Sequence, residues 1–176
     1  MFKFDQLAIY CNGNANQDNI KMAMESLPGG PEVNFTAQDI VTAEGLDEVG
    51  QSITNTACLM FSYNAWPMEF ELLTYIDGWN WHMLEDHDGE DYFLSHYGVH
   101  IKSDDENNAL RNRFRVLQEV VTVNHTNDFV LKNNRRYHYV IYDTRWMLGA
   151  ELKTIQRLTL QEAEEWRERL AARAVR

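Results

Sequence analysis

Apolar and polar residues alternate with a period of two along much of the chain, and at one place the alternation carries charge. Pro67 to Ile76 reads as a strand, but its centre, Met68-Glu69-Phe70-Glu71-Leu72-Leu73, holds carboxylates where a buried strand carries aliphatic side chains. In an extended chain Glu69, Glu71 and Leu73 share one face. The phrase recurs as Ala150-Glu151-Leu152-Lys153-Thr154-Ile155, which puts Glu151, Lys153 and Ile155 together. An unpartnered charge buried in mid-strand costs roughly several kcal/mol, so each glutamate requires a compensating group.

The rest of the chain arranges itself around these two runs. Phe2 to Cys11 alternates as a first strand and breaks at Asn12-Gly13-Asn14. Asp18 to Leu27 follows as a helix, with Ile20, Met24 and Leu27 at helical spacing, Met22 and Met24 as core filler, and Pro28-Gly29-Gly30-Pro31 as its stop. Val33 to Val41 is weakly strand-like, and Glu44 to Gln51 reads as a loop or short helical turn. Thr54 to Tyr63, with the apolar centre Ala57 to Phe61, is a strand that Asn64-Ala65-Trp66-Pro67 turns into the first glutamate run.

The same order returns downstream. Leu94 to Ile101 is a strand, and Asp104 to Gln118 a helix capped by Ser103, with Leu110, Phe114 and Leu117 inward and Arg111, Arg113 and Arg115 outward. Val120 to Val123 and Phe129 to Leu131 are short strands about a turn that holds His125. Tyr137 to Tyr142 is a strand, Asp143 to Trp146 a turn, and Leu148 to Ile155 the second glutamate strand. Thr159 to Arg173 closes the chain as a helix with a Thr159/Glu162 capping box and a Trp166/Leu170 stripe that packs on its own domain. Between the halves, Asp77 to Asp91 holds Trp79, Trp81, His82 and His87; it reads as a connector whose aromatics cap a sheet edge, with a lid as the alternative.

A second phrase supports a duplication. Phe4-Asp5-Gln6-Leu7-Ala8-Ile9-Tyr10-Cys11 matches Leu94-Ser95-His96-Tyr97-Gly98-Val99-His100-Ile101 position by position in residue class. Each half then offers a Gln or His early and a Glu late, 65 residues from Gln6 to Glu71 and 55 from His96 to Glu151. Glutamine oxygen, imidazole nitrogen and carboxylate oxygen suit a borderline or hard divalent ion, so Gln6, Glu71, His96 and Glu151 make a candidate metal cup. Glu69 lies about 7 Å along the strand from Glu71; Glu71 is assigned because it aligns with Glu151 in the repeat. His100 shares the His96 face but sits about 13 Å away, too far to bind the same ion, and is expected as a packed core histidine.

These residues resemble the strands of the vicinal oxygen chelate superfamily, which includes glyoxalase I, bleomycin-resistance proteins, methylmalonyl-CoA epimerase and extradiol dioxygenases. The matching segments are Asp5 to Tyr10, Glu71-Leu72-Leu73, Ser95 to His100 and Gly149 to Lys153. The resemblance spans roughly Phe2 to Ile155. It implies an α+β fold of two βαβββ modules whose mixed sheet curls into a cup around one divalent metal (Zn, Ni, Co or Mn), followed by a C-terminal helix. Module one would occupy about 1–78 and module two about 92–158 of a single domain over 1–158, with the helix at 159–176. Gln6 stands where many members carry His, in the Gln, Glu, His, Glu pattern of some glyoxalase I enzymes. A glyoxalase-like, lactoylglutathione lyase-like activity follows as the expectation: proton transfer through an enediolate, with Glu151 as base and Glu71 as its counterpart. An iron dioxygenase is disfavoured, since its two-His, one-Glu set does not accommodate Gln6.

Composition narrows this further. A formal net charge of −11 and a pI near 4.9 oppose binding to nucleic-acid phosphates. The two cysteines, Cys11 and Cys58, lie in apolar strand-like runs and read as reduced core residues. No basic n-region with a long apolar h-region opens the chain, and no apolar run approaches a membrane span, which makes the cytoplasm the expected compartment. Arg135, Arg136 and Arg145 are candidates for holding a substrate carboxylate or phosphate. The expected partner is a small-molecule substrate, with a homodimer as a further expectation, since family members close their cups within one chain or by exchanging modules between two. Two other classes remain open: a metal-free drug- or metabolite-binding relative, and an acidic partner-binding protein of the same fold.

Overall fold

A computed structural model of the chain describes residues 4–11, 18, 21, 22, 25, 37–62, 68–77, 87, 89–125 and 135–175. The eight strands are β1 (Gln6–Cys11), β2 (Ala37–Asp47), β3 (Ser52–Ser62), β4 (Glu69–Asp77), β5 (Tyr92–Ile101), β6 (Val116–His125), β7 (Arg136–Tyr142) and β8 (Glu151–Leu158). They close into a barrel in the order β1-β4-β3-β2-β6-β7-β8-β5. Within each half the order is first, fourth, third, second, and the first strand pairs parallel with the fourth while all other pairs are antiparallel. Two antiparallel seams, β1 with β5 and β2 with β6, join the halves. The fold is thus α+β and duplicated, and the cup is completed by one chain's own two modules.

The helical parts are short. Asp18, Lys21, Met22 and Glu25, between β1 and β2, are helical, with Lys21 Nζ 3.8 Å from Glu25 Oε1. In the second half a 3-10 turn, Asp104–Glu106, leads into α1 (Asn107–Arg111). A single turn, α2 (Arg145–Leu148), ends on Gly149 at φ 73°, a left-handed cap that suits glycine. Helix α3 (Leu160–Arg173) begins with the expected capping box: Thr159 Oγ1 accepts from the Glu162 amide while the Glu162 carboxylate accepts from the Thr159 amide. Its Ala163, Trp166 and Leu170 pack on Leu46, Val121 and Leu158 outside the barrel.

Four expectations are corrected. Glu44 to Asp47 is not loop but the end of β2, because β2 is paired on both sides, by β3 and β6, and sheet pairing overrides weak strand propensity. The helix expected over Asp104 to Gln118 stops at Arg111; Val116 and Leu117 belong to β6, where Leu117 is buried against the barrel. Met22 is 58% exposed rather than core filler. His100 is not packed in the core: it is exposed, and its Nδ1 lies 3.0 Å from Asp5 Oδ1. The expectations for the Pro28-to-Pro31 stop, the Asn64-to-Pro67 turn, Met24, Trp79, Trp81, His82 and the Phe129-to-Leu131 strand fall outside the described residues. His125 is described only as the end of β6, opposite Val41. Cys11 and Cys58 are both free thiols, as expected.

Two backbone features fit the halves together. A Cβ at Gly45 would lie 2.7 Å from the Val120 Cα and closer still to the Glu119 carbonyl oxygen, so only glycine lets β2 approach β6 here. At the other seam the β1–β5 register passes from Ala8↔His96 to Ile9↔Leu94, which leaves Ser95 unpaired as a bulge. Bulges re-aim side chains, and this one lets the adjacent Ser95 and His96 side chains meet.

Candidate functional site

Alternation turns every second side chain of each strand into the barrel, and the inward set is rich in polar groups. Two chambers of about 280 Å³ and about 70 Å³ share the walls Val41, Leu59, Glu71, Tyr139 and Lys153. The larger is also lined by Asp39, Glu69, His100, Tyr137 and Arg157, of which the exposed His100 and Arg157 mark its mouth; the smaller by Asn55, Tyr75, His96 and Gln118. Glu71 and Lys153 therefore stand at the waist of the lumen.

Three of the four expected ligands come together. Ala8, fully buried between β4 and β5, is paired with both Glu71 and His96, and its small side chain leaves the space in which they meet. His96 Nε2 lies 3.3 Å from Gln6 Oε1 and 4.0 Å from Glu71 Oε2. Gln6 Nε2 donates to Glu69 Oε1 at 2.6 Å, which turns Gln6 Oε1 toward the imidazole. Gly98 makes room for Gln6, since a Cβ there would sit 2.6 Å from Gln6 Oε1. On the far side, Ser95 Oγ is 3.1 Å from His96 Nδ1. A hydroxyl can donate or accept, so either imidazole tautomer is supported.

Glu151 is equally buried and lies opposite His96 in the β5–β8 register. Its carboxylate does not join Glu71 and His96 in a cluster within 4.8 Å. The register also changes the repeat alignment. Gln6 is paired with Glu69 as His96 is with Glu151, and Gly98 is paired with Lys153 as Ala8 is with Glu71. The counterpart of Glu151 is therefore Glu69, and that of Glu71 is Lys153. Lys153 Nζ lies 3.6 Å from Glu71 Oε1, beyond hydrogen-bond length, and 4.5 Å from the Tyr139 ring centroid. Glu71 Oε1 is left as a buried oxygen with no hydrogen-bond donor.

Burial sets the electrostatics. It raises the Glu71 pKa, with Lys153 opposing and Glu69 reinforcing. It drives His96 well below the ordinary imidazole value, helped by Lys153, so the ring is neutral. Burial also holds Tyr75 and Tyr139 well above the ordinary phenol, each assisted by a glutamate, Glu151 for Tyr75 and Glu71 for Tyr139. The site thus presents a neutral imidazole, a basic carboxylate and protonated phenols.

A separate polar cluster lies on the outer barrel surface and was not expected from the sequence. Among the described residues, the group of His, Cys, Asp or Glu whose ligating atoms all fall within 4.8 Å is Asp104, Glu119 and His138. Arg111 donates to both Glu119 oxygens (3.1 and 2.9 Å) and to Asp104 (3.0 Å), Arg173 of α3 lies 3.0 Å from Glu119, and Trp166 stacks on His138 at 4.0 Å. Burial would raise the Glu119 pKa, yet hydrogen bonds from His138 and Arg111 bring it down to about 2. Two guanidiniums already match this charge, and the cluster ties α1 and α3 to the barrel. Arg111, expected to face outward, is the centre of it.

Arg135, Arg136 and Arg145 line neither chamber. Arg145 is bound to Asp143, 3.1 Å away, and Arg136 donates to the Arg135 carbonyl. Lumen residues that sequence reasoning passed over include Tyr75, Tyr139 and Arg157. The alternation Glu151, Lys153, Ile155, Arg157 was sufficient to find the last of these.

The architecture is the paired-module arrangement implied by the vicinal oxygen chelate resemblance. Neither a protein-family model nor a curated protein sequence matches the chain. Among solved structures, methylmalonyl-CoA epimerase from Mycobacterium tuberculosis is 12% identical at a TM-score of 0.45, with 90% of this chain and 90% of that chain covered. A 4-hydroxymandelate synthase mutant from Streptomyces coelicolor is 16% identical at 0.45, with 96% of this chain covered. The chain spans 55% of that protein's length. A hypothetical protein from Bacillus halodurans C-125 is 13% identical at 0.44, with 88% of this chain and 93% of that one covered. Likenesses at this level carry nothing about chemistry, which rests on the side chains. No helix among the described residues is long and apolar enough to cross a membrane.

Proposed function

We propose that the lumen is the active site of a cytoplasmic glyoxalase-like lyase or isomerase that moves a proton on a small substrate with vicinal oxygens, using one divalent metal (Zn, Ni, Co or Mn). The residues that would hold the ion are Gln6, Glu71, His96 and Glu151. The observation that carries the reading is the row Gln6 Oε1, His96 Nε2, Glu71 Oε2, spaced 3.3 and 4.0 Å and ending at a carboxylate whose other oxygen, buried, lacks a donor. Ligands about 2.0–2.2 Å from one ion lie at separations of this order. The donor set is also chemically apt: a neutral imidazole, an amide oxygen and a carboxylate. When bound, such an ion supplies Lewis-acid polarisation of substrate oxygens.

The chain's own residues supply the rest. Glu71 lines both chambers, and a carboxylate raised by burial holds an abstracted proton more firmly than a solvated one, which suits a base working near neutrality, so the base in this proposal is Glu71 and not, as the resemblance implies, Glu151. Lys153, across the waist, balances the charge that Glu71 carries before it takes the proton. Glu151 stands beside His96 in register and serves as the second acid–base group. Leu59, Val41 and Tyr139 flank Glu71 in both chambers and give it an apolar and aromatic surround.

The test is elemental analysis of protein purified without a His-tag, paired with a glyoxalase assay. About one equivalent of ion per chain is expected, lost in the Glu71→Ala, Glu151→Ala double variant together with activity. Retention of the ion in that variant sinks the assignment. A second reading, a metal-free small-molecule binder, is favoured by one feature, the Lys153 ammonium 3.6 Å from Glu71, which supplies a positive charge of its own. A metal-free protein stabilised against heat by an uncharged or anionic ligand would decide for it.

A further inference from the structure

We infer that the mouth of the larger chamber is a recognition site for the carboxylate of a small organic anion, with Arg157 as the group that binds it and Tyr137 and Tyr139 as the wall along which the molecule lies. The inference rests on the lumen being a ligand site, as proposed above, but needs neither the metal nor the reaction.

The chain has 27 acidic residues against 16 lysines and arginines, so its arginines have carboxylates in excess to choose from. Arg111, Arg115, Arg145, Arg167, Arg169 and Arg173 are each ion-paired; Arg113, Arg135 and Arg136 make no ion pair among the described residues but line neither lumen chamber. Arg157 is the arginine that lines the chamber, and its side chain makes no ion pair, hydrogen bond or ring contact among the described residues, although Asp39 and Glu69 line the same chamber. An arginine left without a partner at the rim of a concave, largely buried polar site keeps its planar pair of donors for an incoming oxyanion, the geometry guanidinium matches best.

The wall beneath it is continuous. Arg157 is paired with Tyr137 across the β7–β8 ladder, Tyr137 stacks on Tyr139 at 6.0 Å with the rings 6° apart, and the Lys153 ammonium lies over the Tyr139 ring. From Arg157 to Lys153 along β8 is about 13 Å of strand. Phe61 of β3 lines the same chamber, which adds a third aromatic side chain between the arginine at the rim and the Glu71–Lys153 pair at the waist. A chamber of about 280 Å³ is at the small end of ligand pockets, which admits a metabolite and not a peptide or large cofactor. The opposite wall carries Asp39 and Glu69, which repel an anion; entry with the carboxylate toward Arg157 is the orientation that avoids them. Arg157 therefore fixes which end of the ligand reaches Glu71.

Isothermal titration of metal-free, EDTA-treated protein with matched pairs, 4-hydroxybenzoate against 4-hydroxybenzamide and pyruvate against pyruvamide, tests this directly. The acid of at least one pair is expected to bind about tenfold or more tightly than its amide (about 1.4 kcal/mol). Arg157→Gln should abolish that preference and Arg157→Lys retain part of it, with circular dichroism and melting unchanged because the residue is exposed. Equal binding of acid and amide, failure of both acids to bind, or an undiminished preference in Arg157→Gln overturns the inference. None of these outcomes depends on metal content or turnover, so the proposed reaction stands or falls separately.

Discussion

Replacing Lys153 by methionine preserves the bulk of the side chain and removes the charge that faces Glu71 at the waist of the barrel. The two groups stand 3.6 Å apart and both are nearly inaccessible. At an effective dielectric of about 20 their attraction is ~4–5 kcal/mol. Desolvation cancels much of this in the intact pair, but deleting one partner leaves the other's desolvation uncompensated, a loss of about 3–5 kcal/mol. Protonation of Glu71 limits the damage and gives it a signature. Burial already raises the Glu71 pKa, and the substitution removes the charge that opposes the rise. A carboxyl whose folded pKa exceeds its unfolded value binds protons more tightly in the native state. Its penalty is absent below the unfolded value of about 4.3, grows as pH rises, and levels off above the folded value, with a slope of at most ~1.4 kcal/mol per pH unit. Urea unfolding followed by circular dichroism near pH 5 and near pH 8 should find Lys153→Met less stable at both, with the larger deficit at the higher pH. The Glu71→Leu, Lys153→Met double variant should recover most of the loss and abolish its pH dependence, since an apolar pair of similar volume often replaces a buried ion pair without cost. A deficit under about 1 kcal/mol that does not vary with pH would show the pair to be solvated, in the range of surface ion pairs, and the description of the waist as a dry, low-dielectric site would be wrong.

The outer cluster gives an acid-side prediction. Glu119, at about 2 in the folded protein, contributes stability that is complete above its unfolded value and is lost as pH falls from about 4.3 toward 2, ~3 kcal/mol in all. Glu119→Gln should flatten acid unfolding over that window and loosen α3, read as faster amide exchange in Leu160–Arg173; unchanged exchange would detach the helix from the cluster. Gly98→Ala would put a methyl 2.6 Å from Gln6 Oε1 and 2.7 Å from Gln6 Cβ, which is fixed to β1, so β1 and β5 must shift apart at this rung and both stability in urea and metal or ligand affinity should fall; wild-type values of both would contradict the close fit of Gln6 over Gly98. Gly45→Ala should do the reverse, costing about 2 kcal/mol or more through the Glu119–Val120 backbone at the module seam, and wild-type stability in urea would contradict the close approach of β2 and β6. Thr159→Ala, which removes one half of the capping box, should cost about 1 kcal/mol in the same assay.

Much of the architecture is legible in the chain because alternation and capping are local. The two glutamate strands, β1, β3, β5 and β7 announce themselves by period, and α3 by Thr159 and Glu162. β2 does not, since Thr42-Ala43-Glu44-Gly45 acquires its strand conformation from pairing on both sides, with β3 across a hairpin and with β6, which is distant in sequence. The start of β6 was hidden for another reason: Leu110, Phe114 and Leu117 fit a helical stripe, and the turn at Asn112-Arg113 that ends it carries no glycine or proline. The candidate residues were legible in composition and illegible in register. Gln6, Glu71 and His96, picked out by phrase matching, do lie near one another, but phrase matching cannot see which rung of a ladder two residues share.

That rung has a consequence for how a duplicated barrel acquires an asymmetric site. Duplication places matching positions of β4 and β8 on facing walls of one lumen, so identical residues there would set like charges against each other in a space with little water to screen them. At the Glu69/Glu151 level both halves keep the acid, and Glu69 is matched locally by the Gln6 amide. One rung along, at Glu71/Lys153, the halves have diverged to opposite charges, and it is this pair that meets at the waist. Reversion of that divergence by Lys153→Glu would place two carboxylates about the axis, one of which must hold a proton at neutral pH. A divalent ion would then be the alternative counter-charge to the lost ammonium, so Lys153→Glu should bind Zn, Ni, Co or Mn more tightly than the wild type does, and weaker binding would mean that Lys153 shapes the ligand set and does not compete with the ion for it.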